Sequence, residues 1–118
     1  MILVDTSVWI QHFRVGSDRL KALLLDGQVL CHPFVVGELV CGTLQKRAEI
    51  LVMLKALPEA RLLDHEEVLG FLEARRLYGR GIGWVDAHLL ASTLLTGCSL
   101  WTIDKPLRRA AAGLNVLV

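Results

Sequence analysis

The sequence predicts a three-layer α/β/α fold around a central, mainly parallel sheet of four to five strands. Short apolar runs of strand length alternate with longer segments of helical periodicity along the whole chain. The first of these runs, Met1 to Val4, is apolar at consecutive positions rather than alternate ones. A continuous run belongs to a strand covered on both faces, and strands separated by helices pair in parallel beneath those helices.

The elements follow in order. Met1 to Val4 is the first strand. Thr6 to Phe13 reads as a helix, with Thr6 or Ser7 as its N-cap. Ser17 to Leu25 is a second helix, opened by Ser17-Asp18 and closed at Asp26-Gly27. Gln28 to His32 is the second strand. Pro33 suits a helix start, Phe34 to Leu44 continues that helix, and another runs from about Lys46 to Leu57, stopping before Pro58.

Arg61 to Leu63 reads as a third short strand. Asp64-His65-Glu66-Glu67 places acids at the start of a helix reaching about Tyr78, where the backbone dipole favours them. Gly79-Arg80-Gly81-Ile82-Gly83 is a connector. The next helix, from about Val85 to Thr96, has apolar residues at Ala87, Leu90, Ala91, Leu94 and Leu95, the spacing of one face, and Gly97 ends it. Ser99 to Ile103 is a fourth strand, Pro106 to Ala112 a short helix, and Asn115 to Val118 a closing strand.

The chain has 118 residues, enough for one domain spanning 1–118 and one core. It is 53% hydrophobic, with a mean hydropathy of +0.49. The longest stretch without a formal charge, Ala87 to Ile103, includes His88, Gly97 and several hydroxyls. It falls short of the roughly 20 consecutive apolar residues a membrane span needs. A soluble domain that buries surface against a partner or a second copy fits better. Met1-Ile2-Leu3-Val4-Asp5 has no basic n-region and soon meets a carboxylate, so no secretory leader is expected. Cys31, Cys41 and Cys98 are odd in number, lack C-x-x-C spacing and lie in apolar neighbourhoods. Buried free thiols in a reducing cytoplasm are the expectation.

Net charge is +1, which is no strong sign of nucleic-acid binding. Setting aside Asp5, Glu38, Asp86 and Asp104 leaves 13 basic residues against 8 acidic ones, a balance of +5. Those four acids differ from the rest. Most acids here stand beside other charges or at turns. Asp5 stands between Ile-Leu-Val and Thr-Ser-Val-Trp-Ile, and Glu38 is the sole charge in Phe34 to Cys41. Asp86 lies in Trp84-Val85-Asp86-Ala87-His88-Leu89-Leu90, and Asp104 ends Leu100-Trp101-Thr102-Ile103.

An ionised carboxylate in apolar surroundings is costly unless paired, hydrogen-bonded or bound to a metal. Asp86 and Asp104 could each be a helix cap. Asp5 competes for that role with Thr6 and Ser7, and Glu38, inside a helix, could pair with an arginine. Position suggests a common reason. In a parallel α/β sheet, ligands bind outside the carboxyl ends of the strands. Asp5 and Asp104 end predicted strands, Glu38 follows the second, and Asp86 opens the helix leading to the fourth. Two such carboxylates about 5 Å apart repel by roughly 3 kcal/mol at an effective dielectric of about 20. Divalent cations with oxygen ligands, Mg²⁺ or Mn²⁺, would offset this and support in-line attack on a phosphodiester.

Val4-Asp5-Thr6-Ser7-Val8-Trp9-Ile10, the lone Glu38, Trp84 to Ser92 and Leu100-Trp101-Thr102-Ile103-Asp104 together resemble the PIN-domain nucleases, and more narrowly the VapC toxins of toxin–antitoxin pairs. The resemblance covers nearly the whole chain, in order and at family-like spacing. It implies a PIN-like fold and a cytoplasmic, metal-dependent endoribonuclease acting on RNA. It also implies a homodimer, held inactive by a small VapB-type antitoxin, with DNA met only through that antitoxin. By the same resemblance Asp5, Glu38, Asp86 and Asp104 form the acidic catalytic site. Asp5, Asp86 and Asp104 would bind Mg²⁺ or Mn²⁺, Glu38 would complete the shell or orient water, and Thr6 or Ser7 would lie beside the first metal. His88 stands where the family more often carries an aliphatic residue, and reads as a helix-surface or packing feature.

The glycine-spaced connector lacks the Gly-Lys-Ser/Thr ending of a phosphate loop and follows a helix rather than a strand. Arg75-Arg76 and Arg108-Arg109 read as solvated helix faces. Trp9, Trp84 and Trp101 read as packing beside the acids, with base stacking as the lesser alternative. The apolar face near Val8-Trp9 and the Leu51-Val52 helix could serve the dimer or the antitoxin. A phospho-accepting signalling module shares the α/β alternation but needs an acidic pair after the first strand, and Asp5 stands alone. A housekeeping PIN RNA-processing nuclease and a non-catalytic PIN-like RNA-binding subunit are the remaining alternatives.

Overall fold

A computed structural model describes all 118 residues, Met1–Val118. The chain begins with β1 (Ile2–Val4), α1 (Thr6–Val15), α2 (Asp18–Leu25) and β2 (Val29–Leu30). Four helices follow, α3 (Pro33–Cys41), α4 (Arg47–Ala56), α5 (His65–Ala74) and α6 (Trp84–Thr96), before β3 (Ser99–Trp101) and α7 (Lys105–Gly113).

The three strands form one parallel sheet in the order β2-β1-β3. Leu3 pairs with Leu30 on one side and Leu100 on the other. Successive side chains of a strand point to opposite faces. Leu3 and Val4 are both fully buried, so helices cover the sheet above and below. This is the three-layer α/β/α arrangement expected from the unbroken apolar run.

The sheet is narrower than the four to five strands expected. Arg61 to Leu63 forms no strand; the chain meets the sheet earlier, at a single Cys31–Glu59 bridge. Asn115 to Val118 is likewise reduced to one bridge, Leu117 to Leu100. Both edges thus have a single bridge where a full strand was expected.

Helix α6 runs through the middle of the molecule. Seven consecutive residues, Ala87 to Thr93, are buried, and Gly97 closes the helix in the left-handed conformation (φ 74°) expected of a glycine there. Its apolar face is wider than periodicity indicated, although Leu95 remains exposed. Helix α5 opens with a reciprocal cap. Asp64 Oδ1 accepts the Glu67 N–H at 2.8 Å, and Glu67 Oε1 accepts the Asp64 N–H at 2.9 Å. It ends at Ala74, short of Tyr78, where Arg76 turns left-handed (φ 53°) and the Leu77 N–H returns to the Leu72 carbonyl. Helix α3 also stops early, at Cys41, because the chain is extended at Gly42.

No helix is long and apolar enough to cross a membrane. The cysteines are all free, but only Cys31 is buried; Cys41 is exposed and Cys98 intermediate, so the expectation of three buried thiols holds for one.

Candidate active site

A crossover helix runs antiparallel to the strands it joins, so its N-terminus lies at their carboxyl edge. That rule gathers the four isolated acids. Asp5 directly follows β1 and is the N-cap of α1. Asp104 follows β3 and is the N-cap of α7. Asp86 is the third residue of α6, and Glu38 lies in the second turn of α3.

Asp5 is the most constrained of the four, only 6% exposed. Its backbone N–H extends the β1–β3 ladder by donating to the Trp101 carbonyl at 2.9 Å. Its Oδ2 accepts the Ser7 N–H at 3.3 Å, the Ser7 hydroxyl at 2.6 Å and the Thr102 hydroxyl at 2.8 Å. With those protons directed at Asp5, each hydroxyl keeps lone pairs for the turn into α7. Ile103 N–H donates to Ser7 Oγ at 3.2 Å, and Asp104 N–H donates to Thr102 Oγ1 at 3.1 Å. The Arg108 guanidinium completes the lock by donating to the Thr102 carbonyl at 3.1 Å. One network therefore fixes Asp5 and the backbone of Asp104 together.

The other acids are anchored more lightly. Glu38 Oε1 accepts the Thr6 hydroxyl at 2.7 Å, tying α3 to α1. Asp86 Oδ2 accepts the Gly83 N–H at 2.9 Å, and Asp104 Oδ2 accepts the Leu107 N–H at 3.1 Å. In all four acids one oxygen serves the protein, and none of these bonds uses the other.

Their fields overlap at Asp86. Burial pushes the Asp86 carboxyl above its ordinary value, and the Gly83 N–H pulls it back. The charges of Asp5, Asp104 and Glu38 then raise it further. The four stand where their positions in sequence put them, after β1 and β3 and in the opening turns of α3 and α6. The carboxylates stand apart, however: no three His, Cys, Asp or Glu side chains are close enough to grip an ion as they are. The donor chemistry suits a hard divalent cation, since every ligand offered is a carboxylate oxygen.

The glycine connector links two of these acids. Gly79 and Gly81 take left-handed backbone (φ 70° and 79°), and Gly81 packs on Pro106, where a Cβ would come within 3.4 Å. The connector thus rests on the start of α7 while its last residue, Gly83, holds Asp86.

Several expectations need correction. The cap of α1 is Asp5, not Thr6 or Ser7; Thr6 instead serves Glu38, and Ser7 serves Asp5. Glu38 is exposed and bonded to a hydroxyl, so the buried arginine pair is not formed. Of the two readings of His88, packing holds and helix surface does not: it is 5% exposed, its ring centre 4.5 Å from Phe34 and 4.8 Å from Trp84. Among the tryptophans, Trp9 is fully buried while Trp84 is 36% exposed. Thr102 and Arg108 were missed. For Thr102 a signal existed, a hydroxyl two residues before Asp104 that mirrors Ser7 two residues after Asp5.

A cleft of about 770 Å³ lies elsewhere, between α1 and the start of α4. Ile10, Phe13, Leu44, Ile50 and Met53 line it, with Arg14, Lys46 and Glu49 around them, and none of the four acids takes part.

A narrow parallel sheet with an acidic carboxyl edge defines the class. The chain belongs to the PIN-domain family, whose model, described as PIN domain, matches residues 2–113. Within that family it is of VapC type. It is 49% identical over 113 residues to Ribonuclease VapC32 of Mycobacterium tuberculosis, found alike in strains Oshkosh and H37Rv. The match covers 95% of this chain and 91% of that relative.

Proposed function

We propose that this protein, as a single PIN domain, is a cytoplasmic, divalent-metal-dependent endoribonuclease acting as the toxin of a toxin–antitoxin pair. The observation that carries the reading is the acidic edge, where four carboxylates each keep one oxygen outside the protein's own hydrogen bonds. The similarity to a relative named a ribonuclease supports the choice of RNA.

Asp5, Asp86 and Asp104 would hold Mg²⁺ or Mn²⁺. When bound, such an ion supplies positive charge at the phosphate and makes water easier to deprotonate. The residues do the rest. Ser7 and Thr102 hold Asp5 by occupying Oδ2, and none of these bonds uses Oδ1. Thr6 holds Glu38 by one oxygen, and the second oxygen orients water for in-line attack and accepts its proton. Gly83 sets Asp86. Burial and the other three acids raise the proton affinity of Asp86, and a bound cation would offset the field of those acids.

A homodimer and a small VapB-type antitoxin are the partners this reading assigns, with DNA contacted only through the antitoxin. The cleft between α1 and α4, apolar inside with charges around it, is a surface open to either of these two partners.

Cleavage of a mixed RNA pool by the wild type with Mg²⁺, Mn²⁺ or EDTA, beside folded Asp5→Asn, is the test. Cleavage should require the metal. Asp5→Asn should lose more than the roughly 10–100-fold that removal of an outer partner costs. Full activity in that variant, or in EDTA, would remove the proposal.

A further inference from the structure

Beside the acidic edge lies a row of rings that the site described above does not use. Trp84, the first residue of α6, stands with its ring centre 4.8 Å from His88 at 85° and 4.9 Å from His65. Phe34, in the first turn of α3, is 4.5 Å from His88 and 5.2 Å from His32. The row has an inside and an outside. His32 and His88 are 2% and 5% exposed, whereas Phe34 and Trp84 keep 38% and 36% of their surface in water. The buried imidazoles therefore form a fixed backing, and two aromatic rings are left outermost.

Their place is set by the acids. Trp84 precedes Asp86 by two residues in the same first turn of α6. Phe34 precedes Glu38 by four residues on α3, one helical pitch of about 5.4 Å along the same face. The two helix starts are close, since both rings touch His88 and the charge of Glu38 is felt at Asp86. An aromatic ring exposed to water forgoes part of the stabilisation its burial would bring. Two such rings against one backing residue, next to an acidic edge, match the pattern by which single-stranded nucleic acids are held: a base stacks on a ring while its phosphate is held beside it.

We propose that Trp84 and Phe34 form a stacking platform for a base of single-stranded RNA next to the phosphate held at the acidic edge. The proposal rests on the nuclease reading and adds the place on the protein where a base of the bound strand sits. Stacking is tolerant of sequence, so the platform positions the strand rather than reading it.

The test compares cleavage of a mixed-sequence single-stranded RNA by the full-length wild type, Trp84→Ala, Phe34→Ala and Trp84→Phe in Mn²⁺. Short oligoadenylate and an abasic oligoribonucleotide of equal length serve as competitive inhibitors. Loss of one stacked base costs about 1–3 kcal/mol, a factor of about 5–150. Each alanine variant should raise KM and the oligoadenylate inhibition constant by such a factor, while Trp84→Phe stays within about 3-fold. The abasic inhibitor should bind the wild type as weakly as it binds the variants. Unchanged KM in both alanine variants, or equal weakening toward the abasic inhibitor, overturns the platform and leaves the nuclease standing. A fall in sedimentation mass in Trp84→Ala would assign the rings to an interface between copies and overturn it as well. A wild type that neither cleaves nor binds RNA sinks both readings, and that result is visible before any variant is made.

Discussion

Thr102 donates its hydroxyl to Asp5 Oδ2 at 2.8 Å, joining residues 97 positions apart in the sequence. The same hydroxyl accepts the Asp104 N–H, so one fully buried threonine registers two of the four acids. Thr102→Val keeps the shape and removes the hydroxyl. Loss of that buried hydrogen-bonding group should cost about 1–3 kcal/mol in urea unfolding. Cleavage should fall about 10–100-fold, as for other groups that orient a site. Thr102→Ser should retain both properties, and a Thr102→Val protein with wild-type cleavage would show that the network does not position Asp5.

Capping separates the ordinary acids from the four at the edge. Asp64→Ala removes the cap of α5 and should cost about 1 kcal/mol while leaving cleavage unchanged. Asp104→Asn can still accept the Leu107 N–H, because an amide oxygen caps as well as a carboxylate does. It should therefore unfold at nearly the wild-type urea concentration yet lose cleavage. Paired urea and cleavage curves for the two variants would check this crossing of effects.

Asp86 carries a conflict between stability and function. Its carboxyl is raised by burial and by three neighbouring acids, so its ionised form is disfavoured in the fold. An acid whose folded value lies above the unfolded one destabilises the fold at neutral pH, and that penalty fades as pH falls through the folded value. Asp86→Asn keeps an acceptor for Gly83 and removes the charge. In EDTA at neutral pH it should be more stable than the wild type, by less than about 1 kcal/mol because solvent screens a half-buried charge. Its cleavage should be lost. Melting curves at neutral pH and at mildly acidic pH should show the advantage shrinking as acid is added.

His32 sets an acid limit on the fold. Burial, followed by the charge of His88, lowers its value from 6.5 to about 4. Its Nδ1 accepts the Phe34 N–H at 3.0 Å and caps α3, a bond only the unprotonated nitrogen can make. Between those values the unfolded chain binds more protons than the folded one, so stability rises with pH in that window. It is fully present above about 6.5 and lost as pH falls toward about 4. Partial solvent screening brings the expected loss to about 1–3 kcal/mol. His32→Asn keeps a cap and removes the titration. Its urea midpoint should be flatter with pH over this window, and an equally steep decline would place the acid sensitivity elsewhere.

The fold class was legible because the run up to Leu3 and Val4 is short and unbroken in its apolar character, as in a strand covered on both faces, and helical segments follow it. The outer strands were not legible. Apolar composition marks Arg61 to Leu63, but pairing is decided by where the chain passes the sheet, and that happens at Glu59. The four acids could be read from their isolation, although isolation misled about burial. Only Val35 and Leu39 of α3 are buried, so Glu38 stands exposed within an apolar run. The cap of α1 was misassigned because Asp5 plays two parts, and a sequence does not record which oxygen serves which. His88 is polar in type yet buried, since Phe34 arrives from another helix to cover it. Thr102 escaped notice for a similar reason: its partner lies at the far end of the chain.

The central claim is that the acidic edge is built around a divalent cation. Direct titration of Mn²⁺ into the metal-stripped wild type, Asp5→Asn and Asp64→Ala, followed by the loss of the free-ion paramagnetic signal, tests it most plainly. The account predicts saturable binding to the wild type and Asp64→Ala, and its loss in Asp5→Asn. Equal Mn²⁺ binding by all three proteins, or binding by none, would contradict it.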